Sequence, residues 1–145
     1  PGGSEIQGEN SLDMCLYDGK NSTSTRAYLR FEDDGLPSAD RAEGAFSIRR
    51  RGGSQTDARD RLDYRVSVTN PITGATEAVA NGKTLVWQGT NDPQHLRQVV
   101  LPGGRESVLC IPAPIILKTP AFAASSKNAG DYTGTLRVIY TPSTL

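Results

Sequence analysis

The sequence predicts an all-β fold, a β-sandwich of immunoglobulin type. Two observations carry that prediction: about nine short runs in which apolar and polar residues alternate, each bounded by turn residues, and the absence of a convincing amphipathic helix. The chain of 145 residues is one domain by length, large enough to bury a core of its own.

Residues 1–10, PGGSEIQGEN, are polar and glycine-rich and read as a linker or a preparation remnant rather than a strand, so the folded domain is expected over 11–145. The run SLDMCLYDG sets Leu12, Met14 and Leu16 against Asp13, Cys15 and Tyr17 and stops at the turn pair Asp18-Gly19. Next, TSTRAYLRFEDDG places Ala27, Leu29 and Phe31 on one face and Arg26, Tyr28 and Arg30 on the other. A shorter strand runs through Phe46 and Ile48, and a cleaner one puts Leu62, Tyr64, Val66 and Val68 inward. The loop between them, RRRGGSQTDARD, is charged and glycine-bearing and is expected to be mobile. A weak strand near Thr76 to Ala80 follows, then the turn Asn81-Gly82 and the strand TLVWQG. LRQVVLPGG and ESVLCIPAPIIL supply further strands; TPAFAASSKNAG is the one helix-like stretch, too small and broken to change the class.

The closing stretch GDYTGTLRVIYTPSTL reads as one regular strand, with Tyr132, Leu136, Val138 and Tyr140 apolar and Thr133, Thr135 and Arg137 between them. Only Pro142 to Leu145 follow, so no later segment is available to pair with it, which raises the question of what covers its other edge.

Sixteen basic and sixteen acidic residues cancel, so no long-range field favours nucleic acid or an anionic membrane. No apolar run approaches the roughly 18 residues of a spanning helix. His95 is the only histidine and sits in a turn-like stretch, which leaves acid–base catalysis and zinc binding without residues to perform them; no enzyme activity, metal or cofactor is expected. The run Arg49, Arg50, Arg51 has the fork geometry that suits oxyanions, yet a solvated loop flanked by Asp57 and Asp60 is the plainer reading. Asn21-Ser22-Thr23 matches a glycosylation sequon, a pattern frequent by chance. Trp87, in an alternating strand, is expected in the core.

Cys15 and Cys110 share a context, each between apolar neighbours, MCL and LCI, so that in strands both thiols turn away from the apolar face. That suits a bridge between neighbouring strands; two separate buried thiols are the other reading. A disulfide closing a loop of nearly a hundred residues stabilises by up to about 4 to 5 kcal/mol in the chain-entropy model and places the protein outside a reducing cytosol.

Taken together, DMCLYDG near the start and AGDYTGTLRVIYTP at the end, with a β-rich body and one further cysteine between them, resemble the C-terminal pilin domain of tip-localised minor subunits of chaperone–usher fimbriae. These are the colonisation-factor and cable-pilus type, the CblD-like family. The resemblance implies an incomplete immunoglobulin-like sandwich that lacks its final strand and leaves a groove for a donor strand. It further implies partners: a periplasmic chaperone and an outer-membrane usher during assembly, the major pilin subunit as strand donor, and an N-terminal adhesin domain in the same full-length protein. The location implied is the periplasm, then the cell surface at the fimbrial tip.

By position, the groove-lining residues expected are Leu12, Met14, Leu16, Tyr132, Gly134, Leu136, Val138 and Tyr140, with Gly134 leaving room for a bulky donor residue. The N-terminal stretch carries only Ile6 among polar residues and glycines, so it is expected to accept a strand but not to donate one. A self-sufficient carbohydrate-binding adhesive sandwich, using Trp87 or the arginine loop, is the alternative from a different class.

Overall fold

The computed structural model describes residues 4–17, 24–104 and 106–144. Asp18-Gly19 and the sequon Asn21-Ser22-Thr23 lie outside the described residues. The strands are β1 Glu5–Leu12, β2 Cys15–Leu16, β3 Arg26–Asp33, β4 Phe46–Arg50, β5 Arg61–Thr69, β6 Thr76–Val79, β7 Thr84–Gln88, β8 Arg97–Val100, β9 Ser107–Pro112, β10 Ile115–Ala123, β11 Tyr132–Thr133 and β12 Leu136–Ser143. Apart from three short 3-10 turns, the described residues are strand and loop, as alternation predicts.

One sheet has the order β1-β10-β5-β4-β11, with β6 also paired to β5; a second has the order β12-β3-β7; a third joins β2, β9 and β8. All the pairings are antiparallel. The core forms where inward rows meet: Ala27, Leu29 and Phe31 of β3, Phe46 of β4, Tyr64, Val66 and Val68 of β5, and Trp87 of β7. Phe46 and Tyr64, directly opposite in the β4–β5 register, stack with ring centroids 5.6 Å apart. Trp87 is buried, and its indole nitrogen donates to Glu77 at 2.7 Å, which satisfies the one polar atom it brings inside.

Beyond the single strand expected over SLDMCLYDG, which divides at Asp13-Met14 into the end of β1 and β2 in separate sheets, three expectations change here. First, the polar N-terminal stretch is a strand from Glu5 onward, paired with β10 through Leu12 opposite Ile115. Its residues are exposed, so backbone bonds hold it without the apolar alternation that marks a half-buried strand. Second, the helix-like stretch is the end of β10 and one 3-10 turn, because Thr119 to Ala123 extend the ladder with β1.

Third, the loop after the arginine run is anchored. Asp60 is buried and accepts from Arg50 Nε at 2.6 Å, from the Ser54 amide at 2.8 Å and from Asn128 Nδ2 at 2.8 Å. These donors, the Arg50 guanidinium first, hold its carboxyl well below the usual carboxylate range.

Cys15 and Cys110 form a disulfide that ties β2 to β9, with the two Cα atoms 5.4 Å apart. Leu16 and Ile111 enter the core as expected, but Cys110 does not turn away from it: it is 1% exposed, while its neighbour Leu109 is 41% exposed.

Candidate functional site

Along β12 the inward positions Leu136, Val138 and Tyr140 pack on the core yet stay half-buried. β3 supplies the neighbour on one side, with Val138 opposite Phe31 and Tyr140 opposite Leu29. On the other side β12 ends the sheet, with no partner strand among the described residues. β1 ends the facing sheet in the same way, paired only with β10 among the described residues. Two sheet edges therefore border one opening, neither with a further partner strand among the described residues.

The opening holds a cavity of about 370 Å³ walled by Gly8, Glu9 and Asn10 of β1 and by Gly134 and Leu136 at the start of β12. Its apolar floor is Ile48, Tyr64 and Leu117, from β4, β5 and β10. Burial is the main cause pushing the Tyr64 phenol up to about 12, so the ring stays neutral and contributes surface rather than charge. The cavity is therefore a mostly apolar trough with polar backbone at its rims. Such a surface suits an extended chain that sets alternate side chains on the floor and its amides against a sheet edge.

The structure brings together some of the residues expected from sequence and separates others. Gly134 and Leu136 line the cavity, and Val138 and Tyr140 continue the same inward row. Leu12 shares the inward face of β1 with Asn10 but lies at the strand's far end, 43% exposed, opposite Ile115. Met14 packs on the core between β1 and β2, and Leu16 is buried within it. Tyr132 is elsewhere: β11 pairs with β4, and the Tyr132 hydroxyl reaches the Asn128 carbonyl at 2.6 Å and the Arg59 carbonyl at 3.0 Å.

The closing stretch is accordingly two strands, with a crossing between sheets at Gly134-Thr135. Thr135 is held there by its amide, which donates to Asp34 at 3.2 Å. Gly134, which lines the cavity, also has a structural use. A Cβ there would meet Ile48 Cγ2 at 2.8 Å, so the missing side chain lets the crossing chain pass over β4. Sequence reasoning missed Ile48, Tyr64 and Leu117 as site residues, because a groove floor and a closed core share the same alternation. It also missed Gly8 to Asn10; their glycine and polar side chains gave no signal.

Comparison with known proteins gives the family of the chain. The family model for the second domain of CfaE, the E fimbrial subunit of CFA/I, matches residues 1–144. CfaE of Escherichia coli is 28% identical over 145 residues, which is 98% of this chain and 37% of that protein. The crystal structure of CfaE, the adhesive subunit of CFA/I fimbria of enterotoxigenic Escherichia coli, aligns with a TM-score of 0.72 at 27% identity, over 97% of this chain and 37% of CfaE. The G168D mutant of CfaE aligns with a TM-score of 0.75 at 26% identity, over 100% of this chain and 38% of that one. A structure described as a chaperone–tip adhesin complex vital for CFA/I fimbriae biogenesis aligns with a TM-score of 0.64 at 27% identity, over 99% of this chain and 37% of the matched chain. The chain thus spans a little over a third of the length of these relatives, and its sandwich is immunoglobulin-like, as theirs is. A match over nearly its whole length shows that the chain belongs to the family of CfaE second domains, the pilin domains of fimbrial tip subunits.

Proposed function

We propose that this domain is the assembly module of a fimbrial tip adhesin, of the CblD-like class, and that it joins the fibre by accepting a donor β-strand from the major pilin subunit. The observation that carries the proposal is the half-buried inward row of β12 at a sheet edge that has no partner strand among the described residues. A strand laid between β12 and β1 would complete both ladders and cover Leu136, Val138 and Tyr140. During assembly in the periplasm a chaperone strand fills the same groove and the outer-membrane usher exchanges it for the pilin strand. The finished domain then stands at the cell surface behind an N-terminal adhesin domain of the same protein. In this reading the domain is structural and not an enzyme. The carbohydrate-binding alternative loses its aromatic platform, because Trp87 is 2% exposed.

The test is thermal unfolding with a peptide of about ten residues in which apolar side chains alternate, taken from the major pilin's N-terminal extension. At a hundredfold excess over its Kd it should stabilise the domain by about 2.7 kcal/mol, a rise in Tm of about 5 to 10 °C. A scrambled peptide of the same composition should do nothing. An unchanged Tm at saturating authentic peptide would remove the proposal.

A further inference from the structure

On the outer face of the large sheet, away from the groove, β4 and β5 carry a row of charged side chains sorted by the register: Ser47 lies opposite Asp63, and Arg49 lies opposite Arg61. Arg61 is fully provided for. Its Nε donates to Asp63 at 2.8 Å and its Nη1 to Asp40 at 2.7 Å. Ser47 takes up Asp63 as well, and Arg41 is matched to Asp33 at 2.9 Å. Arg50 has Asp60.

Of these four arginines, Arg49 alone has no acid among the described residues. Its Nε and Nη1 are shielded from solvent and have no hydrogen-bond partner. A guanidinium stays charged at every accessible pH, so this is a half-buried cation with two shielded, unpartnered nitrogens, facing a second arginine across the ladder and with no ion pair among the described residues.

The same side chain lines a cavity of about 220 Å³ with Arg50, Arg51, Gln55, Ser47 and Thr133. Asp34 is the one carboxylate among the lining residues, and it already accepts the Thr135 amide. Since Arg50 is balanced by Asp60, the wall carries excess positive charge next to donors that lack acceptors. We propose that this cavity is a binding site for a small oxyanion, a carboxylate or sulfate group, which serves as the counter-ion of Arg49. The volume accommodates the anionic group alone or one acidic sugar bearing it. Chloride, lacking several directed acceptor oxygens, is a poorer match for a guanidinium.

Protein-observed NMR of the arginine Nε–H signals tests this with the chain titrated by sodium sulfate, N-acetylneuraminic acid or glucose, at ionic strength held constant with sodium chloride. The expected result is a saturable shift of the Arg49 signal with sulfate or the acidic sugar and none with glucose. Tighter binding of the sugar acid than of sulfate marks a glycan source, and equal binding marks the bare anion. Arg49→Leu should weaken oxyanion binding about tenfold or more. It should also melt no lower than the parent in chloride, because it removes two shielded donors that lack acceptors. Should Arg49→Leu fail to fold, Gln55→Glu decides: a carboxylate supplied in the cavity should compete with the added oxyanion and weaken it by a similar factor. Absence of a saturable shift in the parent, or undiminished binding in the variant that folds, overturns the proposal.

Discussion

β3 and β12 lie side by side in one sheet, paired over eight positions, and both send alternate apolar side chains inward. Ala27, Leu29 and Phe31 of β3 are completely buried, whereas Leu136, Val138 and Tyr140 of β12 remain half-buried. The two strands have the same periodicity and the same core beneath them. What differs is the neighbour: β3 has β7 on its far side and β12 has none among the described residues. Burial in a sheet is thus set by the flanking strand as well as by the facing sheet. A strand can carry the pattern of a core strand while part of its burial is left for a partner to supply.

The largest effect comes from loosening the frame that holds both strands. Reducing the Cys15–Cys110 disulfide, which closes a separation of 95 residues, should cost about 4 to 5 kcal/mol. Urea unfolding with and without reductant measures it, and the donor peptide should recover part of the loss by pinning β1 to β12. Next, Phe31→Ala should cost about 3 to 5 kcal/mol whether or not a donor peptide is present, since Phe31 is already buried. Val138→Ala, directly opposite, should cost about 1 kcal/mol in the free domain and about 1 kcal/mol more in the peptide complex, where its methyl groups become covered. A double-mutant comparison of the two sites by urea unfolding, with and without peptide, sharpens the contrast; equal peptide dependence at both would break it.

Acid should have a smaller, directional effect. Asp60 is held well below its ordinary value, and Asp40 is lowered to about 2, by the Ser38 hydroxyl first and then Arg61. As pH falls from about 4 toward 2 the unfolded chain takes up these protons before the folded one, so stability declines across that window and is flat above it. Asp60→Asn should flatten part of that slope, read as the urea midpoint against pH. The smallest change is expected for Ile139→Thr, on the opposite face of β12 and opposite Arg30, which should stay within about 0.5 kcal/mol.

Strands were legible where a core lay on one side of them: alternation marked Ala27 to Phe31 and Tyr64 to Val68 because each inward position there must be apolar, whereas Leu62, also expected inward, stays half-buried outside the core. β1 was illegible for the converse reason. Its side chains meet solvent and an open trough, and backbone pairing to β10 leaves no trace in side-chain chemistry. The crossing at Gly134 was hidden because strand parity runs on through it unchanged; only the proximity of Ile48 reveals why a glycine stands there. At the site, the half-buried row of β12 was found by its own alternation, while Ile48, Tyr64 and Leu117 could be assigned to the trough only once three separate strands were placed together. The isolation of Arg49 was equally invisible, since it depends on which arginine reaches each acid first.

Trp87 occupies β7, at the edge of its sheet remote from β12, and is the sole tryptophan in the sequence. Its indole is sealed in the core and tethered to Glu77, while tyrosine rather than tryptophan borders the trough. Two optical channels are in effect separated: indole emission reports whether the sandwich as a whole is intact, while Tyr64 and Tyr140, of the five tyrosines, stand at its open side.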